Sequence, residues 1–285
     1  MFPAPIRRRR VARLGYGLAV VAALAVWLLP MAGIALTSVR SAEDLNRGNF
    51  WGWPSEVRLF QNYAEVLTGS RMSEFVLNSF SITLPAVLGT IALASMAGFA
   101  LAKHDFRGNR AILMLFIAGN LVPFQALMIP VRDLFLRLGL YDSRLALILF
   151  HVAFQTGFCT LFLRNFIREL PDAVLDAARI EGAGELRIFW SIVLPLVRPA
   201  IAGVSVLVFT FVWNDYFWAL VLVQSDAVRP ITAGLQLLRG MWQTSWQLLS
   251  AGSILAALPP LAVFFVMQRQ LVAGLTYGAQ ADIGR

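Results

Sequence analysis

Charge is scarce in this chain: of 285 residues only 14% are Asp, Glu, Lys or Arg, while 58% are hydrophobic and the mean hydropathy is +0.69. So little charge cannot keep an ordinary globular domain in water, and lipid is the default solvent. Cysteine occurs once, as Cys159 inside an apolar run, which excludes a disulfide framework and a cysteine-based metal site. The two histidines, His104 and His151, have no metal-ligand or triad-like spacing around them, and no His and acid share a membrane depth in the linear chain. That argues against a metal site and against a membrane-embedded hydrolase. Lysine also occurs once, in Ala102-Lys103-His104, so the Gly-Lys-Ser/Thr ending of a P-loop is missing and ATP hydrolysis is expected in another polypeptide. The net charge of +8 is no nucleic-acid footprint, because the basic residues edge apolar segments instead of forming a stripe with aromatics.

What is abundant is long apolar sequence. Crossing ~30 Å of hydrocarbon at ~1.5 Å per helical residue takes about twenty residues. Six runs qualify: Leu14 to Leu36, Val76 to Leu101, Ala111 to Val131, Leu145 to Leu163, Ala200 to Val223 and Leu248 to Met267. Five lack any Asp, Glu, Lys or Arg, and the fifth run carries one acid, Asp215. A lone strand leaves its backbone unsatisfied in lipid and no two-residue alternation occurs, so the runs are read as helices. With no internal repeat, the expectation is an all-α membrane protein with six transmembrane helices: a basic cytoplasmic N-terminus over 1–13, then one transmembrane domain over 14–285.

Counting Lys and Arg in alternating connections gives fifteen on one side and nine on the other, the larger set including Arg7, Arg8, Arg9 and Arg10. The positive-inside rule then places both termini in the cytoplasm. A basic start before an apolar stretch also describes a signal peptide, but Leu14 to Leu36 is long for that and reads as a retained anchor. In the outward connection 37–75, the spacing of Leu59, Tyr63, Val66 and Leu67 fits either a short surface helix or a packed loop.

The longest inward connection, Arg164 to Pro199, holds two helical segments. Pro171 suits the opening turn of the first, and Gly182 and Gly184 end it. Leu186, Phe189, Ile192 and Val193 give the second its helical spacing, and Pro195 and Pro199 punctuate the approach to the fifth run. Ala177 and Ala178 give the first helix little bulk, and Asp172, Asp176, Arg179, Glu181 and Glu185 supply a charged rim. Such a knob transmits rigid-body displacement to the helices behind it.

Asp176-Ala177-Ala178-Arg179-Ile180-Glu181-Gly182, followed after nine residues by Ile192-Val193-Leu194-Pro195, resembles the EAA motif of binding-protein-dependent ABC importer permeases. The motif departs only in having Asp176 for Glu. Asn78-Ser79, Ala97 to Ala102, Pro123 to Leu140, Trp213-Asn214-Asp215-Tyr216, Gln268-Arg269 and Gly274-Leu275-Thr276 look like the maltose-type carbohydrate permeases. The resemblance implies a multi-pass permease in a bacterial or archaeal inner membrane, importing a carbohydrate or related small solute. It implies a second homologous permease subunit, an ATP-binding subunit dimer holding ATP and Mg, an extracytoplasmic solute-binding protein and membrane lipid as partners, with no cofactor in this chain. Coupling to the ATPase would fall to Asp176, Ala177, Ala178, Arg179, Glu181 and Gly182, anchored by Ile192, Leu194 and Pro195, with the principal charge on either Asp176 or Glu181. By the same resemblance, Gln236, Arg239 and Trp242 in the connection 224–247 would meet the binding protein.

A carboxylate inside a span is costly, so Asp215 is a candidate pathway residue with Trp213, Asn214 and Tyr216; it is otherwise an acid paired to a neighbouring helix. Asn120 and Gln125 flank Pro123, which either opens the helix toward a cavity or kinks it for packing. Pro259 and Pro260 pose the same choice. Asp215 is also the one ion site available to the rival reading, a secondary transporter driven by an ion gradient.

Overall fold

The computed structural model describes residues 10–239 and 244–280. Most of the basic N-terminal segment and Trp242 therefore lie outside the described residues. Two compact units are present, one of residues up to Met72 with Leu235–Leu255, the other of Ser73–Gly234 with the chain from Ala256 onward. The described residues contain helices and no named strand.

In the first unit α1 (Arg10–Ser38) exposes nearly all of its apolar flank, a surface that only lipid or a partner would tolerate. α2 (Ala42–Asn46) is capped by Ser41, whose Oγ accepts from the Asp44 N–H at 3.2 Å. The Ser55 hydroxyl and N–H donate to the Asp44 carboxylate and hold its pKa below the usual range. α3 (Leu59–Ala64) continues into a π-helical turn, Glu65–Gly69, so this stretch is helical rather than an irregular packed loop. Asn62 turns inward and donates to the Ser38 and Arg40 carbonyls at 2.8 and 2.9 Å, clamping α3 to the end of α1.

In the second unit α4 (Met72–Lys103) lies against α7 (Arg144–Arg168). Gly98 lets the backbones close up: a Cβ there would sit 3.2 Å from the Arg164 nitrogen. The long helices α1, α4, α7 and α14 (Trp246–Gln280) are each apolar enough to cross a membrane, and each contains one expected run. α14 passes through Pro259 and Pro260 without a break.

The other two runs are broken, which corrects the expectation of a single helix in each. α5 (Asn109–Leu121) stops before Pro123 because a residue preceding proline is pushed out of the helical region; Val122 has ψ 124°. A 3₁₀ turn, Phe124–Leu127, then leads into α6 (Met128–Arg137), bent by 94° from α5. Four short pieces precede the fifth run: α8 (Asp172–Ile180), α9 (Glu185–Ile188), a π turn over Phe189–Val193, and α10 (Leu194–Leu196). α11 (Arg198–Trp213) follows at a bend of 78° and ends at Asn214, after which α12 (Phe217–Leu222) starts afresh. α13 (Ile231–Gly234) and a 3₁₀ turn, Leu235–Leu238, complete the order. Counting each bent pair as one crossing gives up to six candidate spans.

Candidate functional site

The connection between α7 and α11 is fastened at both ends. α8 has Pro171 just outside its first turn, at the N-cap rather than inside the helix. Its C-terminus closes on Gly182, at φ +82°: the Gly182 N–H donates to the Arg179 carbonyl at 3.0 Å and the Ala183 N–H to the Ala178 carbonyl at 2.9 Å. That pair of bonds is a Schellman closure, which needs a left-handed residue and hence favours glycine. Leu175, Ile188, Phe189 and Val193 are buried, and Ile192 and Leu194 pack on the same core. α8 therefore sits on a hydrophobic footing that continues into α11 through the bend at Val197.

Polar groups then lock the knob. Arg179 reaches Glu185 through Nε at 2.8 Å and Asp176 through Nη1 at 2.8 Å, bridging the first helix to the second. Its pKa is raised, first by the Glu185 hydrogen bond and then by the Asp176 bond. The Glu185 carboxyl is correspondingly held below its ordinary value, chiefly by Arg179 and against burial, with His104 adding at 3.1 Å. From the end of α4, Lys103 Nζ donates to the Leu170 carbonyl at 2.6 Å and to Asp172 Oδ1 at 2.7 Å, and that cation lowers the Asp172 pKa. Lys103 also donates to the Arg168 carbonyl at 3.3 Å, so it caps the end of α7 and holds the first turn of α8 in one step.

Outside this lock an apolar strip remains uncovered among the exposed charges. Ile180 is 88% exposed and Leu186 69%, and Val174 and Ala177 share the exposed side of α8. Val174, Ala177 and Ile180 are three apart, so they form one stripe. Ala178, expected on the contact surface with Ala177, turns half inward onto the core. Of the two acids proposed for the principal charge, Asp176 is engaged by Arg179, whereas Glu181 is exposed and has no ion-pair partner among the described residues.

The polar stretch of the fifth run is built differently. Trp213 is 1% exposed, donates Nε1–H to the Ala256 carbonyl at 2.9 Å and meets the Phe80 ring edge-on. The Asp215 carboxylate accepts the N–H groups of Trp218 at 3.2 Å and Ala219 at 3.1 Å, capping α12, and His151 Nε2 lies 3.5 Å from it. The fold thus brings together a His and an acid that the linear chain kept apart. Asn214 is exposed but bonds its side chain back to the Thr210 carbonyl, and Tyr216 is partly exposed. Asn120 likewise bonds back to Phe116, and Gln125 is exposed at the break before α6. Gln236 and Arg239 are exposed.

The family described as "Binding-protein-dependent transport system inner membrane component" matches residues 90–277. The chain belongs to this family. It is a permease of the ABC importer class. The osmoprotective compounds uptake permease protein GgtD of Synechocystis sp. is 37% identical to the permease, over 89% of this chain and 87% of the relative. The arabinooligosaccharides transport system permease protein AraQ of Halalkalibacterium halodurans is 32% identical, over 92% and 93%. A solved bacterial ABC transporter involved in the import of the acidic polysaccharide alginate has the same fold: TM-score 0.80 at 23% identity, covering 94% of this chain and 98% of that one.

Sequence reasoning about the permease missed Lys103, His104 and Glu185 as the latch, His151 as the partner of Asp215, and the exposed stripe through Ile180. The stripe was readable from spacing. The latch was not, because Lys103 and Asp172 are remote in sequence.

Proposed function

We propose that this permease forms, with a second homologous permease, the membrane path of an importer for a carbohydrate or related small solute, driven by a separate ATPase dimer that hydrolyses MgATP. Six crossings, each bent pair counted as one, with both termini in the cytoplasm of a bacterium or archaeon, put the α7–α11 connection on the ATPase side. One observation carries the reading: a rigid knob, bonded to α4 and continuous with α11, presents an uncovered stripe of Val174, Ala177 and Ile180. The stripe fits a groove on the ATPase, and Glu181 supplies the free charge at its edge. Displacing the knob moves α4 and α11 together, because Lys103, Ile192, Leu194 and Pro195 tie it to both.

The cargo assignment leans on the relatives, one named for arabinooligosaccharides and another for osmoprotective compounds. Asn214, Tyr216, Asn120 and Gln125 remain pathway candidates; Trp213 and Asp215 are positioning residues in this reading. An ion-gradient mechanism loses its site, since the Asp215 carboxylate is already held by two amides and His151. Gln236 and Arg239 are proposed to meet the solute-binding protein.

Uptake by the complete importer, compared with intact and hydrolysis-dead ATPase subunits, tests the mechanism: uptake should vanish with the dead subunit, and persistence would overturn the proposal. A Cys at Ala177 should crosslink to the ATPase, and failure to do so in an active complex removes the docking assignment.

A further inference from the structure

The second unit holds a cavity of about 950 Å³ apart from the coupling stripe, formed where α4 and α7 end and α5 begins. Four arginines are among its lining residues, Arg107, Arg110, Arg164 and Arg168, against a single acidic residue, Asp105. Arg164 is partly used, donating from Nε to the Leu101 carbonyl at 3.3 Å. Arg107, Arg110 and Arg168 have no ion-pair partner among the described residues, and the nearby cation Lys103 is turned away into the α8 latch. α5 opens on Gly108, at φ +99°, with no side-chain cap, so its first amides add to the positive character of the wall.

The cavity is not polar throughout. Phe106, Leu113 and Met114 line it, and Met114 is 63% exposed and leads to the equally uncovered Leu115 on α5. α4 and α7, both long enough to cross a membrane, end here at Lys103 and Arg168, the depth where hydrocarbon gives way to headgroups. A site with concentrated cations at the interface and an apolar wall running toward the bilayer matches one chemistry, a phosphodiester with acyl chains. A free phosphate makes no use of Met114 and Leu115. An acidic protein surface has no need of a wall that continues along a membrane helix.

We infer that this cavity binds the headgroup of an anionic phospholipid, its phosphodiester held by Arg107, Arg110 and Arg168 and one acyl chain lying along Met114 and Leu115. The inference rests on the proposed membrane-crossing reading and is independent of the cargo and of ATPase coupling. Arginine suits the role because its planar fork grips two phosphate oxygens at once.

The assembled importer, delipidated in neutral detergent and offered mixed phosphatidylglycerol and phosphatidylcholine, provides the test, with retained lipid read by native mass spectrometry. Preferential retention of phosphatidylglycerol should fall about fivefold for each arginine removed, at low salt, in the R107Q, R110Q and R168Q series. R187Q, on the coupling connection, should leave retention unchanged. The charge-conserving variant with Lys at 107, 110 and 168 should keep most of it, which separates loss of the site from misfolding. Three results overturn the inference: retention unchanged in the triple Gln variant, displacement of the lipid by millimolar inorganic phosphate, or loss of the ATPase subunit with lipid retention intact. Solute uptake is measured separately, so a failed cargo assignment leaves the lipid result readable.

Discussion

Asp176 and Asp215 are the same residue type in the two most informative stretches of the chain, and the structure uses them in opposite settings. Around Asp176 the polar groups grip one another at the surface, Arg179 bridging Asp176 to Glu185, and the apolar side chains are left outside. Around Asp215 the apolar and aromatic groups are inside: Phe150 stacks near Trp218, with ring centroids 3.8 Å apart, and the carboxylate satisfies the start of α12. A carboxylate at this helix break is explained by the amides it caps, because Trp218 and Ala219 are buried and their N–H groups have little water to turn to. The Asp176 carboxylate instead orders the charged edge of an exposed apolar stripe, the surface proposed to dock on the ATPase. Residue type alone therefore does not separate machinery from scaffold; what each polar atom is bonded to does.

The largest contrast is expected when both regions are substituted. Ile180→Asp places a charge in the proposed apolar interface, so ATP-dependent uptake should fall about 30-fold or more while thermal unfolding of the permease in detergent stays unchanged. Asp215→Ala should do the reverse. Removing this cap and leaving the amides of the buried Trp218 and Ala219 unpaired costs about 2 kcal/mol, seen as reduced thermal stability with near-normal uptake per folded complex. Asp215→Asn keeps one acceptor and should recover part of that. If Asp215→Asn instead left stability alone and raised the KM for solute, the residue would belong to the pathway and the contrast would collapse.

How much of this was legible in the linear chain depended on the range of the interaction. Four of the six apolar runs, the α8 helix with its glycine stop and the helical one of the two readings at Leu59 rest on local periodicity and turn chemistry, and these appear in the structure. The breaks at Pro123 and at Asn214 to Tyr216 were half legible. A proline and a polar triplet marked the places, but a run of mean high hydropathy gives no sign that a 94° bend follows. The Lys103 to Asp172 and His151 to Asp215 pairs join residues more than sixty positions apart, and no spacing rule reaches that far. Ala178 went astray for a local reason: in a helix, adjacent positions 100° apart cannot share one exposed stripe, and Ala177 took the outer place.

A smaller effect is expected from loosening the knob without touching its face. Arg179→Ala removes both bridges, and since the partners are largely exposed, screening limits the loss in stability. Coupling should suffer more than folding, with uptake reduced about fivefold at unchanged ATPase binding, and Arg179→Lys should restore only part because one ammonium cannot hold two carboxylates in the same geometry. Equal loss of uptake and of ATPase binding would place Arg179 in the docking surface and not behind it.

The mildest perturbation is protonation. Glu185 and Asp172 both titrate below their ordinary values, Glu185 chiefly through Arg179 and Asp172 through Lys103. A carboxyl whose pKa is depressed on folding contributes stability that is complete above its unfolded value, about 4, and is lost as pH falls through the folded value. The Lys103–Asp172 and Arg179–Glu185 pairs of the latch should therefore hold across neutral pH and open only in acid. A fluorophore on Cys at Ala177 would report the opening. Its transition should lie below pH 4 and move upward in Lys103→Gln, where Asp172 loses its cation; a transition near neutrality would mean that something other than these carboxylates holds the knob.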